Sequence, residues 1–237
     1  MKLTIVVTVY NERGTILKAI DEARSLNIEK EIIVVDNCST DGTREILRGL
    51  NDSSLVIVYQ SRNCGYGESV ITGMRLAKGE YLYVHNSDLE YDPCCVYEMV
   101  ELSDKEGLDS VFGSRLLKRQ GEAKLKILME RPFYLGTLIT TFLTNIFYHK
   151  NLSDIIGTRF YRTEALRGIN PQVRGIGFDF EVVSKLCKYD YKIKEIAVSY
   201  SPRTKGKKIK VYDIIPAIWM MLKIKLTREN LRLKKNG

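Results

Sequence analysis

Short apolar runs recur along the first half of the chain, and segments with helical spacing of apolar residues lie between them. The runs are rich in Val and Ile, which favours β-strands. This alternation predicts βαβ units and a parallel sheet covered by helices on both faces. The predicted strands are Leu3–Val9, Glu31–Val35, Leu55–Tyr59, Tyr81–His85 and Ser110–Gly113, and the predicted helices are Thr15–Leu26, Thr43–Leu50, Glu68–Lys78 and Pro93–Leu102.

The second half is less regular. We predict a helix over Pro132–Tyr148, an extended piece at Gly157–Tyr161, a helix at Phe178–Cys187 and a strand at Lys192–Val198. The 17 residues of Pro132–Tyr148 carry no charge but include four Thr. That is short and polar for a spanning helix, so the pattern favours a buried or interfacial helix.

The C-terminal segment differs from the rest of the chain in charge. Arg203–Gly237 contains eleven Lys or Arg and two acids, a net +9, so the remaining residues carry −1 of the total +8. After a basic loop, Asp213 is a plausible N-cap and Pro216 fits a first helical turn. We predict one domain over 1–210 and a basic amphipathic helix over 211–237 at a membrane surface. The alternative is a helix packed on the domain with a solvated charged face.

Composition narrows the class of protein. A length of 237 residues with 44% hydrophobic residues suits one large globular domain. The five cysteines form no C-x-x-C pair, and the N-terminus begins with a strand-like run, so we expect a reduced cytosolic compartment and no signal peptide. Charge alone would allow nucleic-acid binding, but no recognition motif accompanies it.

Polar and acidic residues follow three of the predicted strands. Thr8–Glu12 follows the first, Asp36–Thr43 the second and Asn86–Glu90 the fourth. Ligands of parallel α/β sheets bind at the carboxyl ends of the strands. This convergence therefore predicts a binding site at one edge of the sheet.

Asn86, Asp88 and Glu90 are spaced two residues apart. In an extended segment such side chains point the same way, and three oxygen-bearing side chains could share one Mg²⁺ or Mn²⁺. The alternative is a solvated acidic turn before Pro93. No dinucleotide or P-loop glycine motif occurs, and Gly65 with Gly67 before a helix is a weak anion-binding signal.

Taken in order, these pieces resemble family 2 glycosyltransferases with the GT-A fold, the nucleotide-diphospho-sugar transferase fold, and within them the polyprenyl-phosphate sugar synthases. The resemblance covers nearly the whole chain and implies an α/β fold with a mostly parallel central sheet flanked by helices. The matching segments are Val6–Glu12, Ile33–Thr43, Arg62–Gly67, Gly73–Glu80, Asn86–Glu90, Phe112–Arg115, Asp154–Phe160, Gly177–Glu181 and Pro202–Lys208.

The resemblance also implies roles for individual residues. Tyr10, Glu12, Asp36 and Gly65 would bind the nucleotide sugar, with Asp36 contacting the base. Asn86, Asp88 and Glu90 would be the metal motif, and Asp88, Arg115 and Asp179 the catalytic residues. Arg131, Arg203 and Lys208 would bind the acceptor or its phosphate.

Three departures from the family pattern stand out. Asn86 replaces the first Asp of the metal motif, and Glu90 stands where the family often has Gln, which could restore the lost charge. Thr8 replaces a usual Pro. The basic motif beginning at Arg203 is one residue short, so Lys208 or Lys210 could take its last position.

The implied reaction displaces a nucleoside diphosphate from a sugar, with inversion and with Mg²⁺ or Mn²⁺ stabilising the leaving group. A lipid-phosphate acceptor needs no strong base, whereas a glycan hydroxyl needs a carboxylate such as Asp179 or Glu181. We expect a polyprenyl-phosphate acceptor and a peripheral location on the cytoplasmic face of an anionic membrane. A glycan hydroxyl acceptor and a non-catalytic nucleotide-sugar-binding homologue are the alternatives, and no nucleic-acid partner is expected.

Overall fold

A computed structural model describes residues 1–117, 134–175, 177–203 and 214–227. One seven-stranded sheet runs through it in the order β3-β2-β1-β4-β6-β5-β7. The strands are β1 Leu3–Val9, β2 Lys30–Asp36, β3 Leu55–Tyr59, β4 Tyr81–Asn86, β5 Ser110–Ser114, β6 Thr158–Arg162 and β7 Ile193–Ala197. The helices are α1 Ile16–Ser25, α2 Thr43–Gly49, α3 Tyr66–Leu76, α4 Cys95–Glu106, α5 Tyr134–Tyr148, α6 Thr163–Gly168, α7 Phe178–Lys188 and α8 Ile214–Leu226.

The sheet is mostly parallel, as predicted. β3, β2, β1 and β4 pair in parallel, as do β5 and β7, while β6 runs antiparallel between β4 and β5. Helices α1, α2 and α4 pack on one face, and α3, α6, α7 and α8 pack on the other. Every residue of β1 is buried, which explains why its sequence is almost continuously apolar.

The predicted elements of the first half all exist, with ends displaced by a few residues. The extended piece at Gly157–Tyr161 is strand β6, and its antiparallel direction was not predicted. The short helix α6 was missed because Thr163–Gly168 is too brief for a helical period to show.

The C-terminal helix α8 packs on the domain, burying Ala217 and Met221 against α7 and α5. Pro216 lies in its first turn, as expected, whereas the predicted cap Asp213 lies outside the described residues. In the described parts of the chain, every helix is too short or too polar to cross a membrane.

Gly157 allows β6 to approach β5 closely. A Cβ atom at this position would lie 1.7 Å from the backbone oxygen of Gly113. Since backbone cannot move aside as a flexible side chain can, only glycine fits here without displacing a strand.

We therefore predict that Gly157→Ala lowers the free energy of unfolding by about 1–3 kcal/mol, the cost of overpacking a tight site. Chemical denaturation of parent and variant measures the difference. Gly49→Ala is the matched control, because its Cβ would meet nothing within 4 Å. Equal midpoints for the parent and Gly157→Ala would contradict the close approach.

Candidate active site

The carboxyl ends of β1, β2 and β4 lie side by side, as the sequence predicted. Thr8 pairs in register with Asn86, and Val9 pairs with Asp36. Beyond the strand ends, the Ser87 N–H donates to the Thr8 carbonyl at 3.2 Å. The polar loops that follow these strands therefore share one edge of the sheet.

The loop after β1 is held by the loop after β2. Asn11 has a left-handed backbone with φ of 54°, its N–H donates to Ser39 Oγ at 2.9 Å, and its Oδ1 accepts from the Thr40 N–H at 2.7 Å. The Glu12 N–H donates to Thr43 Oγ1 at 3.0 Å. These bonds fix the backbone at Asn11 and Glu12, and so the part of the loop that carries Tyr10 and Glu12, the first two residues expected to bind the nucleotide.

Asp36 is fully buried at the end of β2. Its carboxylate accepts from Arg44 Nε at 2.5 Å and from the Ser39 N–H at 3.1 Å. These contacts shape the β2 loop, and recognition of a base by Asp36 stays a prediction.

Gly65 precedes α3 with φ of 92°, and a Cβ there would lie 2.6 Å from the Arg174 carbonyl oxygen. The glycine thus permits close contact between the α3 entrance and the segment before α7. Its contact with a nucleotide sugar also stays a prediction.

The extended geometry expected for Asn86, Asp88 and Glu90 is wrong. Strand β4 ends at Asn86, and Leu89 has a left-handed φ of 58°, so the side chains do not alternate as in a strand. Asp88 Oδ1 accepts from the Glu90 N–H at 3.2 Å, and Asn86 Oδ1 accepts from the Thr8 hydroxyl at 3.0 Å. The segment is therefore a turn and not an extended strand.

Arg203 joins the acidic loops. Its Nη1 lies 2.9 Å from both carboxylate oxygens of Glu12, and its Nη2 lies 3.4 Å from Asp88 Oδ2. Its backbone N–H donates to Glu90 Oε1 at 2.9 Å, and the Tyr200 hydroxyl donates to Glu90 Oε2 at 2.9 Å. We call Glu12, Asp88, Glu90 and Arg203 the acidic cluster. The contact between Glu12 and Arg203 was not predicted, because nothing in the sequence links residues 191 positions apart.

The pKa values of Asp88 and Arg203 in the acidic cluster are both raised. Burial, reinforced by the nearby charge of Glu90, raises the pKa of Asp88. Burial alone would lower the pKa of Arg203. The hydrogen bond to Glu12 and the negative charge of Asp88 outweigh this effect, so the pKa of Arg203 is raised. Three carboxylates face one guanidinium, so the cluster favours additional positive charge.

A divalent cation fits part of this cluster. Within the described residues, no group of three or more His, Cys, Asp or Glu is placed to hold a metal ion by itself. Mg²⁺ usually binds one or two carboxylates together with substrate phosphates. Asp88 suits that role because its hydrogen bonds are long, at 3.2 and 3.4 Å, whereas both Glu90 oxygens accept hydrogen bonds at 2.9 Å. The predicted set of Asn86, Asp88 and Glu90 stays a prediction.

Asp179 lies in the first turn of α7, beside Arg159, a buried arginine to which the sequence analysis assigned no role. Its Oδ1 is 3.6 Å from Arg159 Nε, and neither atom has a hydrogen-bond partner among the described residues. Burial raises the pKa of Asp179, and the charge of Arg159 opposes this. A carboxylate with a raised pKa is a better proton acceptor, which suits the predicted catalytic role.

Glu181, the other candidate base, already has hydrogen-bond and ion-pair partners within the protein. Its carboxylate accepts from the backbone N–H groups of Gln172 and Val173 and pairs with Lys185 at 2.7 Å. Asp179 is therefore the better placed of the two carboxylates for proton transfer.

Arg115 is held by Asp154 through Nε at 2.6 Å, Nη2 at 2.9 Å and its backbone N–H at 3.1 Å. The guanidinium also lies over the rings of Tyr134 at 4.8 Å and Tyr200 at 5.4 Å. Arg115 thus joins β5 to α5 beside the acidic cluster, and phosphate binding by it stays a prediction. Arg131, Lys208 and Lys210 lie outside the described residues.

Comparisons with known proteins identify the family and the fold of this chain. A dolichol-phosphate mannosyltransferase of Pyrococcus furiosus is 25% identical over 94% of this chain and 64% of its own length. A low-salt glycan biosynthesis hexosyltransferase of Haloferax volcanii is 26% identical over 85% of this chain and 48% of its own length. The chain thus spans about half to two thirds of these relatives.

Among solved structures, glucosyl-3-phosphoglycerate synthase from Mycobacterium tuberculosis, in complex with Mn²⁺, uridine diphosphate and phosphoglyceric acid, has a TM-score of 0.63. It is 19% identical, and the match covers 97% of this chain and 80% of that one, which confirms the fold class. The family model described as glycosyl transferase family 2 matches residues 4–169. With its mixed sheet and acidic carboxyl edge, the chain belongs to glycosyl transferase family 2.

Proposed function

We propose that this protein transfers a sugar from a nucleoside-diphosphate sugar to a polyprenyl phosphate, with inversion at the anomeric carbon. The observation that carries the proposal is the acidic cluster at the carboxyl edge of the sheet, where the half-buried carboxylate of Asp88 meets Arg203. Such a pair suits a donor whose leaving group becomes more negative as the reaction proceeds. The Pyrococcus furiosus relative, which aligns with most of the chain, supports the lipid-phosphate acceptor.

In this proposal an acceptor phosphate oxygen attacks the anomeric carbon as its bond to the diphosphate oxygen breaks. A bound Mg²⁺ or Mn²⁺ would offset the charge of the departing diphosphate. Asp88 would hold that cation, and Arg203 would move from Glu12 towards the diphosphate to supply further positive charge. A phosphate acceptor is already ionised at neutral pH, so Asp179 need not remove a proton.

Transfer to a glycan hydroxyl is the second candidate, and Asp179 favours it. A hydroxyl acceptor must lose a proton, and Asp179 is a partly buried carboxylate with a raised pKa, whose Oδ1 has no hydrogen-bond partner among the described residues. The Haloferax volcanii relative, named for glycan biosynthesis, supports this reading. Asp179→Asn separates the candidates, since it should abolish transfer to a hydroxyl and largely spare transfer to a phosphate.

Peripheral attachment to an anionic membrane is part of the proposal. The net +9 of Arg203–Gly237 supports it, since each Lys or Arg near such a surface contributes about 1 kcal/mol. We place the protein on the cytoplasmic face, where anionic lipids are concentrated.

We predict that Asp88→Ala abolishes sugar transfer, because the cation loses its carboxylate, while the fold is retained. Transfer of labelled sugar to a polyprenyl phosphate in the presence of Mn²⁺ and a thermal unfolding curve together measure this. Asp21→Ala, an exposed acid on α1, is the control and should keep full activity. Substantial turnover by Asp88→Ala would remove the proposed role.

Truncation after Lys210 should cripple transfer to vesicle-bound lipid phosphate, because the basic segment is lost. It also removes Ala217 and Met221 from the core, so a sharper variant replaces Arg228, Arg232, Lys234 and Lys235 with Gln. That variant should lose transfer to vesicle-bound acceptor and keep transfer to a water-soluble short-chain acceptor. Equal losses on both acceptors would contradict the membrane role of these charges.

Arg203→Gln should increase the affinity for Mn²⁺ and lower the melting temperature of the ligand-free protein, because three carboxylates lose their cation. Calorimetric titration with Mn²⁺ and thermal unfolding measure the two effects. Lys194→Gln, which removes an exposed ion pair with Glu106, is the control. Unchanged Mn²⁺ affinity in Arg203→Gln would show that metal and guanidinium do not compete.

A further inference from the structure

Helix α5 has polar side chains inside and apolar side chains outside. The residues it exposes recur at i, i+4, i+7 and i+11, with 37–62% of each exposed to solvent. No charged residue interrupts the helix. The buried residues include Thr137, Thr140, Thr141 and Thr144, and the exposed set is Leu135, Ile139, Phe142 and Ile146.

The buried threonines explain this orientation. The hydroxyls of Thr140 and Thr144 donate to the carbonyls of Gly136 and Thr140, at 2.8 and 2.9 Å. Thr141 Oγ1 accepts from the Ile155 N–H at 3.3 Å. Because the buried threonine hydroxyls have hydrogen-bond partners, the helix is stable with its threonines facing the domain. Its apolar face is then left without a partner among the described residues.

Helix α8 repeats the pattern. Its exposed apolar residues have the same i, i+4, i+7 and i+11 spacing, with 38–76% of each exposed. α8 packs against α5, and Lys225 Nζ lies 4.8 Å from the centre of the Phe147 ring. The exposed set of α8 is Ile215, Trp219, Leu222 and Leu226.

The charges on these two helices, and most of those that follow α8 in the sequence, are positive. Neither α5 nor α8 contains an acidic residue, and α8 contributes Lys223 and Lys225. Beyond α8 the sequence adds Arg228, Arg232, Lys234 and Lys235 against the single acid Glu229. An apolar face bordered by basic residues is complementary to a lipid surface with anionic headgroups.

We propose that the exposed faces of α5 and α8 together form one surface that docks on an anionic lipid bilayer. We call this the two-helix surface. A second copy of the chain is a poorer occupant, because a symmetric contact places the same basic patch of both copies together. A bilayer accepts the apolar side chains and supplies the opposite charge, and Trp219 is of the type that lies at membrane interfaces.

The two-helix surface begins beside the acidic cluster. Tyr134, the first residue of α5, has its ring over Arg115 and 6.4 Å from the ring of Tyr200, whose hydroxyl bonds to Glu90. A docked bilayer would therefore lie near the proposed site of sugar transfer. The two-helix surface thus deepens the membrane attachment in the proposed function and rests on it, although docking itself requires no lipid substrate.

Trp219 is the only tryptophan and reports directly on docking. Its fluorescence should shift to the blue when the full chain is mixed with vesicles containing phosphatidylglycerol, and lipids brominated on their chains should quench it. Phosphatidylcholine vesicles should bind far less. The double variant Phe142→Gln with Ile146→Gln, on the other helix, should need on the order of tenfold more lipid for half-maximal shift.

The matched control is Leu17→Gln with Leu76→Gln, which removes exposed leucines from α1 and α3. It should bind vesicles like the parent. Equal lipid titrations for parent and the α5 variant would overturn the two-helix surface. A second contrary outcome is that the parent does not bind vesicles but forms a dimer, and that the α5 variant is monomeric. Transfer to a water-soluble acceptor, assayed without vesicles, tests the proposed function separately.

Discussion

The guanidinium of Arg203 connects two acidic loops that would otherwise repel each other. Glu12 follows β1, Asp88 and Glu90 follow β4, and Arg203 follows β7, from the opposite edge of the sheet. Carboxylates this close destabilise each other in a partly dry environment. The arginine relieves that repulsion and at the same time ties the last strand to the first. The shape of the candidate site therefore depends on one cation contributed from far along the chain.

Other arginine–aspartate pairs surround the site, and the distances between their charged groups differ. Asp154 holds Arg115 by several short bonds and Asp36 holds Arg44 at 2.5 Å, so both belong to the frame. Removing one partner from such a buried pair costs about 3–5 kcal/mol. Arg203 is 3.4 Å from Asp88 and Arg159 is 3.6 Å from Asp179, so these contacts are looser. The short pairs hold the backbone around the site in place. The longer pairs involve Asp88 and Asp179, the two carboxylates with proposed roles in metal binding and proton transfer.

The sequence predicted the sheet well, because buried parallel strands leave a strong apolar pattern and loops at their carboxyl ends must share an edge. It could not predict the turn at Leu89, since a single left-handed residue leaves no periodic signal. It also missed Arg159 and the partnership of Glu12 with Arg203, because contacts between distant segments follow from packing and not from local spacing. The four threonines of α5 made the segment polar for a membrane span, but the sequence could not show that their hydroxyls bond within the helix, to Arg115 and to the loop before β6.

The long separation between Glu12 and Arg203 has a consequence for biosynthesis. A ribosome makes the chain from its N-terminus, so strands β1 to β4 and their acidic loops leave the exit tunnel well before Arg203 is added. During that interval the carboxylates lack their internal counterion and must be neutralised by solvent ions or remain apart. Assembly of the acidic cluster is thus a late event, completed only after every strand of the sheet has been translated.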